Sequence, residues 1–81
     1  MLKVEGRHPG TQHFDPLFDF EHLPPHLQAV SGPCSDLAQE FIDLLPDGPE
    51  LTAGLRKLLE AKDCFVRAAV LARTAEEVDR G

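Results

Sequence analysis

From Pro25 onward the apolar positions fall into a repeat. Leu27, Val30, Cys34, Leu37, Phe41 and then Leu44 or Leu45 recur in alternating steps of three and four. That spacing draws one face of an α-helix, and Ala38 and Ile42 widen it. Pro24-Pro25 suits the helix start, where a missing N–H is no loss. Gly32-Pro33 falls inside the run and is expected to kink it, because a proline ring clashes with the carbonyl four residues back. Pro46 predicts an end at Leu45.

A second stripe follows the short connection Pro46-Asp47-Gly48: Leu51, Leu55, Leu58, Leu59, Cys64 or Phe65, Val66, Ala69 and Val70. Asp47 and Glu50 are spaced as an N-cap and capping-box pair for this helix. It is expected to run to about Arg73, with Thr74 and Glu77 recapping a last turn and residues 79–81 frayed. Leu59, Val66 and Val70 carry its apolar surface around the cylinder. A two-helix hairpin covers one face only, so the surplus predicts self-association.

Residues 1–24 break both periods. His8, Pro9, Gly10, Pro16 and Pro24 punctuate them, yet Phe14, Leu17, Phe18 and Phe20 place four large apolar groups within seven residues. A solvated tail has no use for such groups. The segment is expected to be an extended arm lying across a helical surface or a neighbouring subunit. The predicted fold class is therefore all-α: an antiparallel helical hairpin over residues 25–73, an extended N-terminal arm over 1–24 and a C-terminal tail over 74–81, assembled into a compact homo-oligomer.

The length of 81 residues sharpens that expectation, since a chain this short buries only roughly 60% of its unfolded surface. Small scaffolds make up the deficit with disulfides, a metal or a partner chain. Cys34 and Cys64 are too far apart for a CxxC clip. A single disulfide can be drawn between them, but Met1 to Gly10 lacks the apolar stretch of a secretory signal, so both are expected as reduced, buried thiols in a cytoplasmic protein. No run approaches the roughly 20 apolar residues of a membrane span. Partner subunits remain.

Charge narrows the function classes. A net charge of −6 argues against a general DNA or anionic-membrane binder, which needs a basic surface to displace phosphate counterions. A small anionic ligand is not excluded, because Arg56, Lys57, Lys62 and Arg67 fall within twelve residues. That cluster reads either as a solvated face beside Glu60 and Asp63 or as a local positive patch. Arg67, flanked by Val66 and Ala68, is expected to meet an acidic partner or a ligand anion at a subunit junction.

Of the four histidines, His22 and His26 are four apart, but Pro24 and Pro25 between them break the geometry of a shared metal. His8 and His13 complete the set. No nucleophile held by a base and no phosphate-cradling glycine loop is legible, so no catalytic residue, metal or cofactor is expected. Ser31 and Ser35, one turn apart beside the kink, are either ordinary helix surface or small hydroxyls that let a ligand approach the backbone.

The order of features has a counterpart. An aromatic pair one residue apart (Phe18, Phe20), a proline-containing spacer, a helix ending in LAQEFIDLLP and a second helix reading LTAGLRKLLEAKDCFVRAA resemble the hairpin domain of phage anti-CBASS and anti-Thoeris sponge proteins. The likeness spans Phe18 to about Leu71 and is strongest at Leu37-Ala38 and over Gly54 to Lys62. The resemblance implies a non-enzymatic protein that sequesters cyclic di- or trinucleotide immune signals in the host cytoplasm and so blocks bacterial anti-phage defence. It also implies a homo-oligomer, often a hexamer, with ligand pockets between subunits.

Carried over by position, the resemblance makes Phe20 the base-stacking aromatic, without the phenolic hydroxyl of related members. Ser35 stands where relatives place a phosphate-contacting lysine. Val66-Arg67 replaces their alanine-asparagine step, and Arg67 or Lys62 is the candidate for the displaced cation. The expected ligand-binding set is thus Phe18, Phe20, Ser31, Ser35, Lys62 and Arg67. The alternative is an oligomeric helical protein-interaction module whose surplus apolar surface docks on another protein, with no small ligand.

Overall fold

A computed structural model describes the backbone of residues 1–80 and the side chains through Ala75. It is all-helical. Three α-helices, α1 (Pro9–Gln12), α2 (Pro25–Leu44) and α3 (Pro49–Arg80), are joined by a 3₁₀ turn at Pro16–Phe18 between α1 and α2. The main packing is α2 against α3, an antiparallel hairpin closed by residues 45–48.

The helix limits follow local chemistry. Pro25 occupies the first turn of α2, and Gln28 Nε2 ties the preceding loop by donating to the carbonyls of Leu23 (2.8 Å) and Glu21 (3.2 Å). Leu45, with extended backbone ahead of Pro46, caps the other end. Gly32-Pro33 does not interrupt the helix, which runs on through Pro33. Proline supplies no N–H for the carbonyl of Ala29, and the missing Cβ of Gly32 removes the side-chain clash that a residue before proline suffers in helical geometry.

The residues that α2 buries differ from the expected stripe. Ser31, Gly32, Ser35, Ala38 and Ile42 are buried, whereas Leu37, Phe41 and Leu44 are 39%, 41% and 68% exposed. The arm causes the shift. Its aromatic rings need a helix surface of small side chains to lie against, and a Cβ on Gly32 would stand 3.5 Å from the Phe20 ring. The core comprises Leu2, Phe14 and Phe18 from the arm, Ala38 and Ile42 from α2, and Leu51, Leu55 and Leu59 from α3.

The arm is not extended. Residues 1–24 wind through a turn at Gly6 (φ +76°), the single helical turn of α1 and the 3₁₀ turn. His8 Nδ1 caps α1 by accepting from the Gly10 amide at 2.9 Å. Proline and glycine destroy long-range periodicity but fit such short turns well. Gln39 pairs with the Lys3 backbone in both directions, Oε1 accepting from its N–H at 2.6 Å and Nε2 donating to its carbonyl at 3.1 Å.

Asp47 does not play its expected part as a helix cap. Its carboxylate bonds the arm instead, accepting from Thr11 Oγ1 (2.7 Å), the His8 amide (3.1 Å) and Arg7 Nε (3.1 Å). Arg7 reaches past it to donate to the carbonyl of Ile42 in α2 and, at 2.7 Å, to that of the capping Leu45. A guanidinium there satisfies carbonyls that a helix end leaves without partners and opposes its negative dipole end.

The second helix also outruns its reading. Thr74 starts no new turn: its Oγ1 donates back to the Val70 carbonyl at 3.0 Å within a helix that continues to Arg80. Glu77, and the frayed end expected over 79–81, lie outside the residues whose side chains are described. With 32 residues against 20, α3 exceeds α2 by roughly 18 Å at 1.5 Å per residue, so the chain is 51 Å in its longest dimension. Val70 and Leu71 lie on the overhang and are exposed.

Candidate functional site

The six residues expected to bind a ligand separate into three environments. Phe18 and Ser31 are inside the protein, 0% and 1% exposed. Phe18 packs on Phe14 with ring centroids 6.3 Å apart, and Ser31 Oγ is buried without a hydrogen-bond partner. Neither side chain is available to a ligand in the single chain. The arm's need for a small-residue face accounts for Ser31 as it does for Gly32.

Phe20 and Ser35 come together at a shallow cleft on one side of the arm, with Lys3, Asp36, Gln39 and Asp43 among its walls. Ser35 is itself 5% exposed, and Phe20 is half-buried. Three acidic residues, Glu21, Asp36 and Asp43, line this cleft against the one basic side chain of Lys3. Its electrostatics do not favour a phosphate.

Lys62 and Arg67 meet at a second cleft, of about 470 Å³, between the arm and the middle of α3. The arm supplies Leu17, Asp19, His22 and Leu23, and α3 supplies Val66 between the two cations. Helical spacing explains the α3 side, since residues three to five apart share or border one face. The Lys62 side chain is largely covered, and its Nζ lies 2.9 Å from Asp63 Oδ1. Arg67 is exposed. Two cations and one imidazole share the cleft with two carboxylates, Asp19 and Asp63, so Arg67, beside an apolar wall, is the cation most open to an anion with a flat or apolar body.

Sequence reading missed the arm's share of this cleft. His22, which sequence spacing relates only to His26, lines the cleft opposite α3. Its contribution depends on the fold of residues 16–23 onto α3, which carries no periodic signal. Among the described residues no group of three or more His, Cys, Asp and Glu is placed to hold a metal ion, and no helix is long and apolar enough to cross a membrane.

The two thiols are free, and they differ from each other and from the expectation of two buried cysteines: Cys34 is half-buried and Cys64 exposed. Burial pushes the Cys34 thiol above its ordinary range, partly opposed by the positive charge of Lys62 across the hairpin. On the far flank, Arg56 stacks its guanidinium 5.0 Å from the Phe14 ring centroid, with its Nη2 3.2 Å from His13 Nε2. This cation is thereby engaged with the arm rather than with the cleft.

An apolar groove of about 490 Å³ lies at the loop end of the hairpin. Phe41 and Leu45 form one wall, Gly54 and Leu58 the other, with Pro46 and Pro49 at the end. No family model matches the chain, and no curated protein or solved structure matches it significantly.

Proposed function

We propose that the protein is a non-catalytic sponge that sequesters cyclic oligonucleotide signals, cyclic di- or trinucleotides, in the bacterial cytoplasm and so protects a phage from host immunity. The cleft between the arm and α3 is the observation that carries this reading. It joins Lys62 and Arg67, the two candidates for a displaced phosphate-binding cation, beside His22 and the apolar side chains of Leu17, Leu23 and Val66, with Asp19 and the Lys62-paired Asp63 also at its walls. Its size falls within the range of small-ligand sites. Sequestration requires affinity and abundance, not turnover, and a phosphate diester ring needs cations and a surface for its bases.

In this reading Lys62 and Arg67 contact phosphate, and the chain self-associates so that neighbouring subunits close the clefts, with a hexamer the assembly suggested by the resemblance. Phe20 lies across the arm from the cations and stacks on a base only where a neighbouring copy brings a second cleft against it.

Calorimetric titration against a panel of cyclic di- and trinucleotides tests the reading. Wild type should bind at least one member, and Arg67→Ala should weaken that binding tenfold or more, equivalent to about 1.4 kcal/mol. A panel that wild type does not bind, with no rescue by Ser35→Lys, defeats the proposal. A second reading, a helical protein-interaction module without a small ligand, draws on the exposed Leu37, Phe41 and Leu44.

A further inference from the structure

We infer that the apolar face left open on the hairpin is covered by a second copy of the chain, packed about a two-fold axis parallel to the helices so that α2 of each copy lies on α3 of the other. This inference concerns assembly and stands independently of the nucleotide reading.

The face is continuous across both helices. Phe41 on α2 and Gly54 and Leu58 on α3 border one apolar groove. Leu37 continues it one turn earlier on α2, half-exposed, and Phe65 extends it two turns later on α3, 57% exposed. On α3 the positions 54, 58, 61, 65, 68 and 72 are spaced by alternating fours and threes and hold only Gly, Leu, Ala and Phe. That is the seam of a helix packed at a shallow angle on another, with small residues leaving holes for the knobs of the facing helix. The chain's own arm cannot fill them. It is committed to the opposite flank, through Gln39, Asp47 and Arg56.

Charge selects both the occupant and its orientation. α2 contains no Lys or Arg and carries Asp36, Glu40 and Asp43, whereas α3 is balanced in charge, its six basic residues set against six acidic ones. Glu40, three residues after Leu37 and four before Leu44, borders the face on the α2 side. Lys57, three after Gly54 and four before Ala61, borders it on the α3 side. The two are at nearly the same height along the hairpin: Cys34 feels the charge of Lys62 across it, and Glu40 lies six residues up α2 while Lys57 lies five back along α3.

Two arrangements of identical faces are available. A two-fold axis in the interface but perpendicular to the helices sets α2 on α2, where acidic rims oppose each other. An axis parallel to the helices sets α2 on α3, antiparallel, and brings each Glu40 to the partner's Lys57. Like-charge juxtaposition disfavours the first, and the second is the self-complementary, four-helix solution. A hexamer can contain this dimer.

Sedimentation equilibrium across a concentration series, with circular dichroism to confirm helicity, decides the matter. Wild type should give a mass that is an even multiple of 8.9 kDa. Phe41→Asp should reduce it to half or less. Glu40→Lys and Lys57→Glu, both on exposed rims and harmless to folding, should each raise the dissociation constant at least tenfold, and the double exchange should restore it to within threefold of wild type. A monomer at all concentrations, an assembly indifferent to Phe41→Asp, or a double exchange as weak as the two singles combined would overturn the proposal.

Discussion

Thr11 Oγ1 donates a 2.7 Å hydrogen bond to Asp47 Oδ1, joining the first helical turn of the arm to the connection between α2 and α3. Thr11 is 1% exposed. Around this bond gather the His8 amide and Arg7, so a single carboxylate fixes the arm to the hairpin near the α2 C-terminus.

That arrangement has a pH signature. Chiefly through the Thr11 hydrogen bond, and further through His8 and Arg7, the Asp47 carboxyl is held below its ordinary value of 3.8. A carboxylate with a depressed folded pKa stabilises the fold fully above its unfolded value and loses that contribution as pH falls through the folded one. Attachment of the arm should therefore persist at neutral pH and weaken only below about 3.8. NMR titration of the Asp47 side chain should show the depressed value in wild type and a higher one in Thr11→Val, and an unchanged value in the variant would remove Thr11 as the main cause.

Arg7→Ala should destabilise the chain by about 1 to 2 kcal/mol, because it strips hydrogen bonds from the Ile42 and Leu45 carbonyls and from Asp47 together. Urea unfolding monitored by circular dichroism measures it. Arg7→Lys, with no planar fork to reach three acceptors, should recover less than half of the loss.

Phe18→Ala should cost about 3 to 5 kcal/mol of stability, as expected for a large aromatic deleted from a closed core. Phe20→Ala, from a half-buried site, should cost clearly less. Equal losses in the same urea titration would contradict the placement of the two rings.

Pro33→Ala should stabilise the protein by about 1 to 3 kcal/mol, since the ring is exposed and its removal restores an amide donor for the Ala29 carbonyl inside α2. A thermal midpoint that falls in the variant would show that Pro33 contributes packing of its own.

With a thiol-reactive maleimide at neutral pH, Cys64 should be modified readily and Cys34 slowly. The first is exposed, while burial both shields the second and disfavours its thiolate. Mass spectrometry of the labelled peptides at short times reads the order, and faster labelling of Cys34 would count against its burial.

Two helices, their proline boundaries and the short connection were legible in the chain because each depends on neighbours within a few residues. Leu51, Leu55 and Leu59 repeat at helical spacing and are buried. Pro25 and Pro46 limit α2 by the geometry of a single ring. The surplus read around the second helix from Leu59, Val66 and Val70 is not what stays open: Leu59 lies in the core and Val66 lines the cleft under the arm, while Leu37, Phe41, Phe65 and Val70 are exposed.

Only the tertiary structure decided which face of α2 turned inward. Periodicity marks the apolar stripe from Leu27 to Leu44, but the arm's aromatic rings need shallow side chains beneath them, and this selects Ser31, Gly32, Ser35 and Ala38. Asp47 looked like a helix cap because its spacing to Glu50 is local information, whereas its partners Arg7, His8 and Thr11 are 36 to 40 residues away. The cleft behaves the same way. Lys62 and Arg67 were identifiable by charge, but His22 and Leu17 join them only once the arm, whose prolines and glycine leave no repeat to read, has folded back onto α3.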